Sequence, residues 1–177
     1  MKKIILAGIF ALSFTGCSID TMTKAHTNVS NFDGSKEIYS QSMYVFATSG
    51  FHGAPVSLGA RWTEKVKEYI AVEVVVTGDY VNLSSLYLNI DGDIKQYNPL
   101  PSATKFSAPT GQALSIKSSE RSFMVPVVDI ERLKSAKTVN IKVTTLSDGY
   151  FEGVILKDGR LSPGAKSLIN VIDQIQK

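Results

Sequence analysis

The chain has 177 residues, 44% of them hydrophobic and 20% charged, with one cysteine and a formal net charge of +3. That size suits one domain around one core, and the composition excludes collagen-like, disordered and disulfide-stapled chains. Lys and Arg form no cluster, which excludes the electrostatic footprint of a nucleic-acid binder.

Lys2 and Lys3 open the chain with positive charge, and Ile4–Phe14 is an apolar run too short to span a bilayer as a stable helix. Phe14-Thr15-Gly16-Cys17 follows. In these residues the chain resembles bacterial lipoproteins, whose lipobox sets a small residue before a cysteine that is lipidated and becomes the mature N-terminus. Gly16 and Cys17 match that pattern, Thr15 is compatible with it, and Phe14 stands where leucine is usual. The resemblance ends at Cys17. It implies that residues 1–16 are a signal peptide, that Cys17 carries acyl chains, and that Ser18, standing where Asp would retain the protein, directs it to the outer membrane. Without Lys2 and Lys3, 17 basic residues face 16 acidic ones. The polar stretch Ser18–Asn31 reads as a tether able to reach ~50 Å at ~3.5 Å per residue. Residues 32–177 are then the folded domain.

Asp33-Gly34 marks its start, and Ile38–Thr48, rich in Tyr, Met, Val and Phe, reads as a strand. Thr48–Pro55 is a glycine-punctuated loop. Val56, Leu58, Ala60 and Trp62 alternate with polar or small residues, so a strand with Trp62 inward is expected. Tyr69–Thr77 is nearly all β-branched or aromatic and reads as a central strand. Leu86, Leu88 and Ile90 alternate into the Asp91-Gly92 turn, and Asp93–Tyr97 returns. Asn98–Ser119 holds three prolines and little periodicity; it reads as a long loop or an irregular edge with a short strand at Ala113–Lys117.

The stretch Arg121–Gly159 is the most regular. A strand is stopped by Pro126, which has no N–H to donate. Asp129 is placed to cap a short helix, with Val128 and Leu133 as a hydrophobic staple. Val139, Ile141 and Val143 alternate, and Asp148-Gly149 is expected to form a two-residue hairpin turn before Tyr150–Leu156. Ser162-Pro163 starts a last helix, in which Ala165, Leu168, Ile172 and Ile175 form one apolar stripe. Short turns between strands and only two helical patterns predict an antiparallel β-sandwich with a C-terminal amphipathic helix; a small β-barrel is the alternative.

No reactive constellation emerges. His26 and His52 lie apart, and zinc needs three or four convergent ligands. Asn89, Asp91 and Asp93 alternate as at the start of an EF-hand, but Gly92 is out of place and Leu100 stands where the bidentate Glu belongs. Ser49 and His52 share a loop without the spacing of a nucleophile elbow. Phe51, Tyr80, Tyr97 and Phe106 fall in or beside loops and turns where core packing does not demand them. Phe51, His52 and Phe106 are therefore the expected binding surface. The chain reads as a non-catalytic envelope module, tethered to the membrane through Cys17 and engaging an envelope protein, with no metal, cofactor or nucleic acid. An apolar-ligand carrier and an envelope hydrolase are the alternatives.

Overall fold

Strand alternation does most of the folding: in Tyr69–Thr77, Ile70, Val72, Val74 and Val76 are buried while the residues between them are not. A computed structural model describes residues 19–48, 53–108, 116–147 and 149–177. In chain order the strands are β1 His26–Val29, β2 Lys36–Phe46, β3 Gly53–Thr63, β4 Tyr69–Thr77, β5 Leu83–Ile90, β6 Asp93–Tyr97, β7 Lys105–Ser107, β8 Ser118–Pro126, β9 Val139–Thr145, β10 Tyr150–Lys157 and β11 Arg160–Leu161. The helices are α1 Ile19–Met22, α2 Val127–Glu131 and α3 Pro163–Ile175.

All pairings are antiparallel, in the order β6-β5-β9-β10-β2-β3-β4-β8-β7, with β1 beside β2 and β11 beside β10. Strands β10 and β2 meet through the single pair Val154–Phe46, so the sheet divides there into two layers. Their inner faces share one core, which includes Trp62, Val72, Val74, Val76, Leu86, Leu88, Val139 and Ile141. Each such large side chain contributes roughly 1.5–3 kcal/mol when fully buried. The antiparallel sandwich is thus the fold, and the sheet is not closed into a barrel. Beyond β6 the chain crosses over: Leu100 N–H donates to Ser122 O (2.9 Å), and Met124 N–H donates to Asn98 O (3.2 Å). The far edge of β8 is shared between this crossing and β7, so no continuous ladder joins β6 to β8.

Helix α3 begins as its sequence dictates, with Ser162 Oγ accepting from Ala165 N–H (3.2 Å) and Pro163 in the first turn. It packs against β2 and β3, and Ile169 and Val171 are buried along with the expected Ala165, Leu168 and Ile172. A Cβ on Gly164 would lie 2.7 Å from Met43 O, so the close approach of helix to strand requires glycine there.

Four local expectations are corrected. The tether is largely folded: β1 pairs with β2 from His26–Tyr39 to Val29–Lys36, and the side chain of Asn170 on α3 donates to Thr23 O (2.9 Å). All four β1 residues are exposed, so backbone pairing holds a segment with no apolar periodicity to reveal it. Asp129 does not cap α2, whose N-cap is Pro126; the carboxylate turns inward, and Val128 is exposed while Leu133 is buried, so no staple forms. The β9–β10 connection closes at Thr145 and Gly149, with Thr145 N–H donating to Gly149 O (2.9 Å) and Gly149 N–H to Thr145 Oγ1 (3.1 Å). Leu146 and Ser147 thus belong to the turn, which reaches beyond the expected Asp148-Gly149 pair, and Asp148 itself lies outside the described residues. Finally, the stretch after Asn98 carries β7, paired with the start of β8. Ile116 and Lys117, the described end of the strand expected at Ala113–Lys117, belong to no strand.

Candidate ligand-binding groove

The outward residues of β6, β5, β9 and β10 stand in rows across four strands. Tyr87 lies opposite Gln96 on one side and Lys142 on the other, and Lys142 lies opposite Glu152. Asn89 lies between Ile94 and Asn140, and Thr144 between Ser85 and Tyr150. A register shift in β10 between Val154 and Leu156 sharpens the local twist. A groove of about 640 Å³ runs over this face, lined chiefly by Tyr87, Asn89, Ile94, Asn140, Lys142 and Glu152, with Thr48 at its wall. That volume lies within the range of small-molecule sites.

Several polar groups here are unused by the protein. Among the described residues, the Glu152 and Asn140 side chains and the Tyr87 hydroxyl make no hydrogen bond or ion pair, although all three residues are paired in the ladders through their backbones. Asn89 Oδ1 accepts from Gly92 N–H (2.9 Å), which leaves its amide donors open. Lys142 turns away from Glu152 and sets its ammonium 4.1 Å from the centre of the Tyr150 ring.

The buried carboxylate Asp129 is the opposite case. Its Oδ1 accepts from Lys95 Nζ (2.6 Å) and its Oδ2 from the Tyr97 hydroxyl (3.1 Å), while Arg132 lies 3.7 Å away. Burial, then the nearby Asp129 charge, pushes the Tyr97 phenol well above the usual tyrosine range. With its acceptors occupied, this cluster ties α2 to β6 and presents no free acid or base.

Cys17, Phe51 and His52 lie outside the described residues. Phe106 is half-exposed on β7 and meets Tyr80 edge to face, ring centres 5.6 Å apart, with Lys117 against the Tyr80 ring. It does not line the groove. Thr48, at the start of the glycine-punctuated loop, does. Tyr97 departs from expectation: it is buried, and its hydroxyl is the reason a tyrosine stands there. The three residues of the EF-hand-like run diverge, Asn89 to Gly92, Asp91 to the Lys137 and Thr138 amides, and Asp93 to Arg132. Among the described residues no group of three His, Cys, Asp or Glu could hold a metal ion, and no helix is long and apolar enough to cross a membrane.

Sequence reasoning passed over the groove because its residues occupy the outward positions of half-buried strands. Asparagine is depleted in strands, so Asn89 and Asn140 in mid-strand were the available signal. Comparison with protein-family models, curated proteins and solved structures finds no match.

Proposed function

We propose that this chain is a non-catalytic binding module of the bacterial envelope, anchored through acylated Cys17 and engaging its partner at the groove on β6-β5-β9-β10. The supporting observation is the set of polar side chains there, Tyr87, Asn140 and Glu152, which the protein itself leaves without partners among the described residues. Asn140 and Glu152 are exposed and Tyr87 is half-buried, so together they offer open donors and acceptors to another molecule in one concavity. The anchor follows from the lipobox-like junction at Gly16-Cys17. Helix α1 starts at Ile19 and is tied to α3 through Lys166 Nζ and Asp20 (2.8 Å), so two residues spanning at most ~7 Å from Cys17 would keep the domain close to the lipid surface.

Photo-crosslinking in intact envelopes tests the binding face. A photoreactive residue at Asn140 or Glu152 should capture material that one at Glu73, on the other layer, does not. Equal capture from both faces, or none from the groove, would remove the groove from the account. Acyl labelling tests the anchor, which is lost if labelling survives Cys17→Ser.

A further inference from the structure

We propose that the groove takes a neutral glycan, a chain of linked hexoses lying across the outward face of β6, β5, β9 and β10. This deepens the binding-module reading and rests on it.

The first argument is hydrogen-bond type. A sugar hydroxyl both donates and accepts, and the groups with the same dual capacity are carboxamides and hydroxyls. Asn89 and Asn140 stand directly opposite one another, one row from Tyr87, whereas Thr144, a row further on, already spends its hydroxyl on Ser84 (2.8 Å) and the Ser85 carbonyl (3.4 Å). Glu152 adds an acceptor pair able to take two neighbouring hydroxyls.

Charge supplies the second. The groove carries one Lys and one Glu at paired positions, Lys142 and Glu152, so it presents no net field to a polyanion or a polycation. Nucleic acid and anionic lipid headgroups are disfavoured on that ground.

The third is the distribution of apolar surface. Half-buried Tyr87 and exposed Ile94 sit among the polar groups rather than in a separate patch. A pyranose has an apolar C–H face and a polar rim, and an aromatic ring with a polar tip suits that mixture. An acyl chain would leave the two amides and the carboxylate desolvated without partners.

Topology argues against an extended peptide. Peptides that add to a sheet need an open edge with free backbone groups. The groove instead lies over the strand faces, and of these strands only β6, at the end of the strand order, has an unpaired edge, where an added peptide would lie beside the groove rather than across it.

The test uses the full chain purified from membranes in a zwitterionic detergent without a sugar headgroup. It is titrated with cellohexaose, maltohexaose and chitohexaose, and with an uncharged peptide of similar length. At least one hexasaccharide should saturate the protein with a Kd below ~1 mM, and Tyr87→Ala and Asn140→Ala should each weaken it about tenfold or more. Phe106→Ala should leave it unchanged. Thermal melting of each variant separates lost binding from lost fold. The glycan assignment is overturned if no hexasaccharide saturates the folded wild type, if both groove substitutions leave affinity intact, or if only the peptide binds. Groove crosslinks in envelopes combined with any of these results would overturn the ligand class and leave the binding-module reading standing; absence of groove crosslinks would remove both.

Discussion

The two layers turn very different outer faces to solvent. On β2-β3-β4, Arg61 is held between Glu37 (2.7 Å) and Glu73 (3.2 Å) and lies over Tyr39, on which His26 stacks. The Glu37 carboxylate, followed by Glu73, raises the Arg61 pKa above its usual value. On β5-β9-β10 the same alternation places Glu152 opposite Lys142, yet the Lys142 ammonium lies against Tyr150 and the Glu152 carboxylate forms no ion pair with a described residue. One face has answered its own charges and the other has not. A face that has consumed its polar groups internally has little left for a ligand, and this is why the groove carries the functional reading.

Substitutions can break or sharpen that contrast, beginning with the supports of each layer. Asp129→Ala should cost the most, about 3 kcal/mol in urea unfolding, since it leaves the Tyr97 hydroxyl and Lys95 without their acceptor at the edge of the groove layer. A loss within error of zero would mean that the cluster does not hold β6. On the other layer, Gly164→Ala should cost about 1–3 kcal/mol, because the new methyl meets the Met43 carbonyl, a backbone atom that cannot step aside. Binding at the groove should persist in that variant at temperatures where it remains folded.

A pH experiment probes the groove-side support without removing an atom. The Tyr97 phenol is raised in the fold, so its protonated form is favoured there, and its contribution is full below the unfolded tyrosine value near ~10. As pH rises past that point the unfolded chain releases a proton that the folded one keeps. Stability should then fall by up to about 1.4 kcal/mol per pH unit until the folded phenol also ionises. Tyr97→Phe should lack this component of the alkaline slope; an unchanged slope would refute the assignment.

The remaining pair tests the contrast itself. Arg61→Ala should cost less than about 1 kcal/mol, since the network is half-exposed and screened, and should leave groove binding untouched. Tyr87→Ala with Asn140→Ala should change stability least, by roughly 0.5 kcal/mol, as expected for outward positions with no internal partners. It should nevertheless abolish capture at the groove. If Arg61→Ala lowers capture as much as the double substitution, the distinction between the faces fails.

Three Asp-Gly pairs show how far local chemistry can be trusted. Asp91-Gly92 forms the expected two-residue hairpin, both residues at positive φ, with Ile90 opposite Asp93. Asp158-Gly159 does the same between β10 and β11, and the dipeptide alone could have revealed it. In the third pair Asp148 lies outside the described residues, and at Gly149 the closure is set by Thr145, whose side-chain hydroxyl takes the Gly149 amide. The dipeptide announces a turn, and the register of the strands around it chooses the turn's length.

The sequence by itself determined the elements whose causes are local. Alternation built β4, β5 and β9, the Ser162-Pro163 pair started α3, and apolar inward positions specified one core. Only the tertiary structure decided which outward side chains would meet. Asn89 and Asn140 belong to strands separated in the chain by β6, β7, β8 and α2, and they face each other because the order is β6-β5-β9-β10. The folding of β1, the inward turn of Asp129 and the pairing of Arg61 with two glutamates are of the same kind. Each depends on a partner distant in sequence, and strand pairing, unlike a helix, leaves no local period that names the partner.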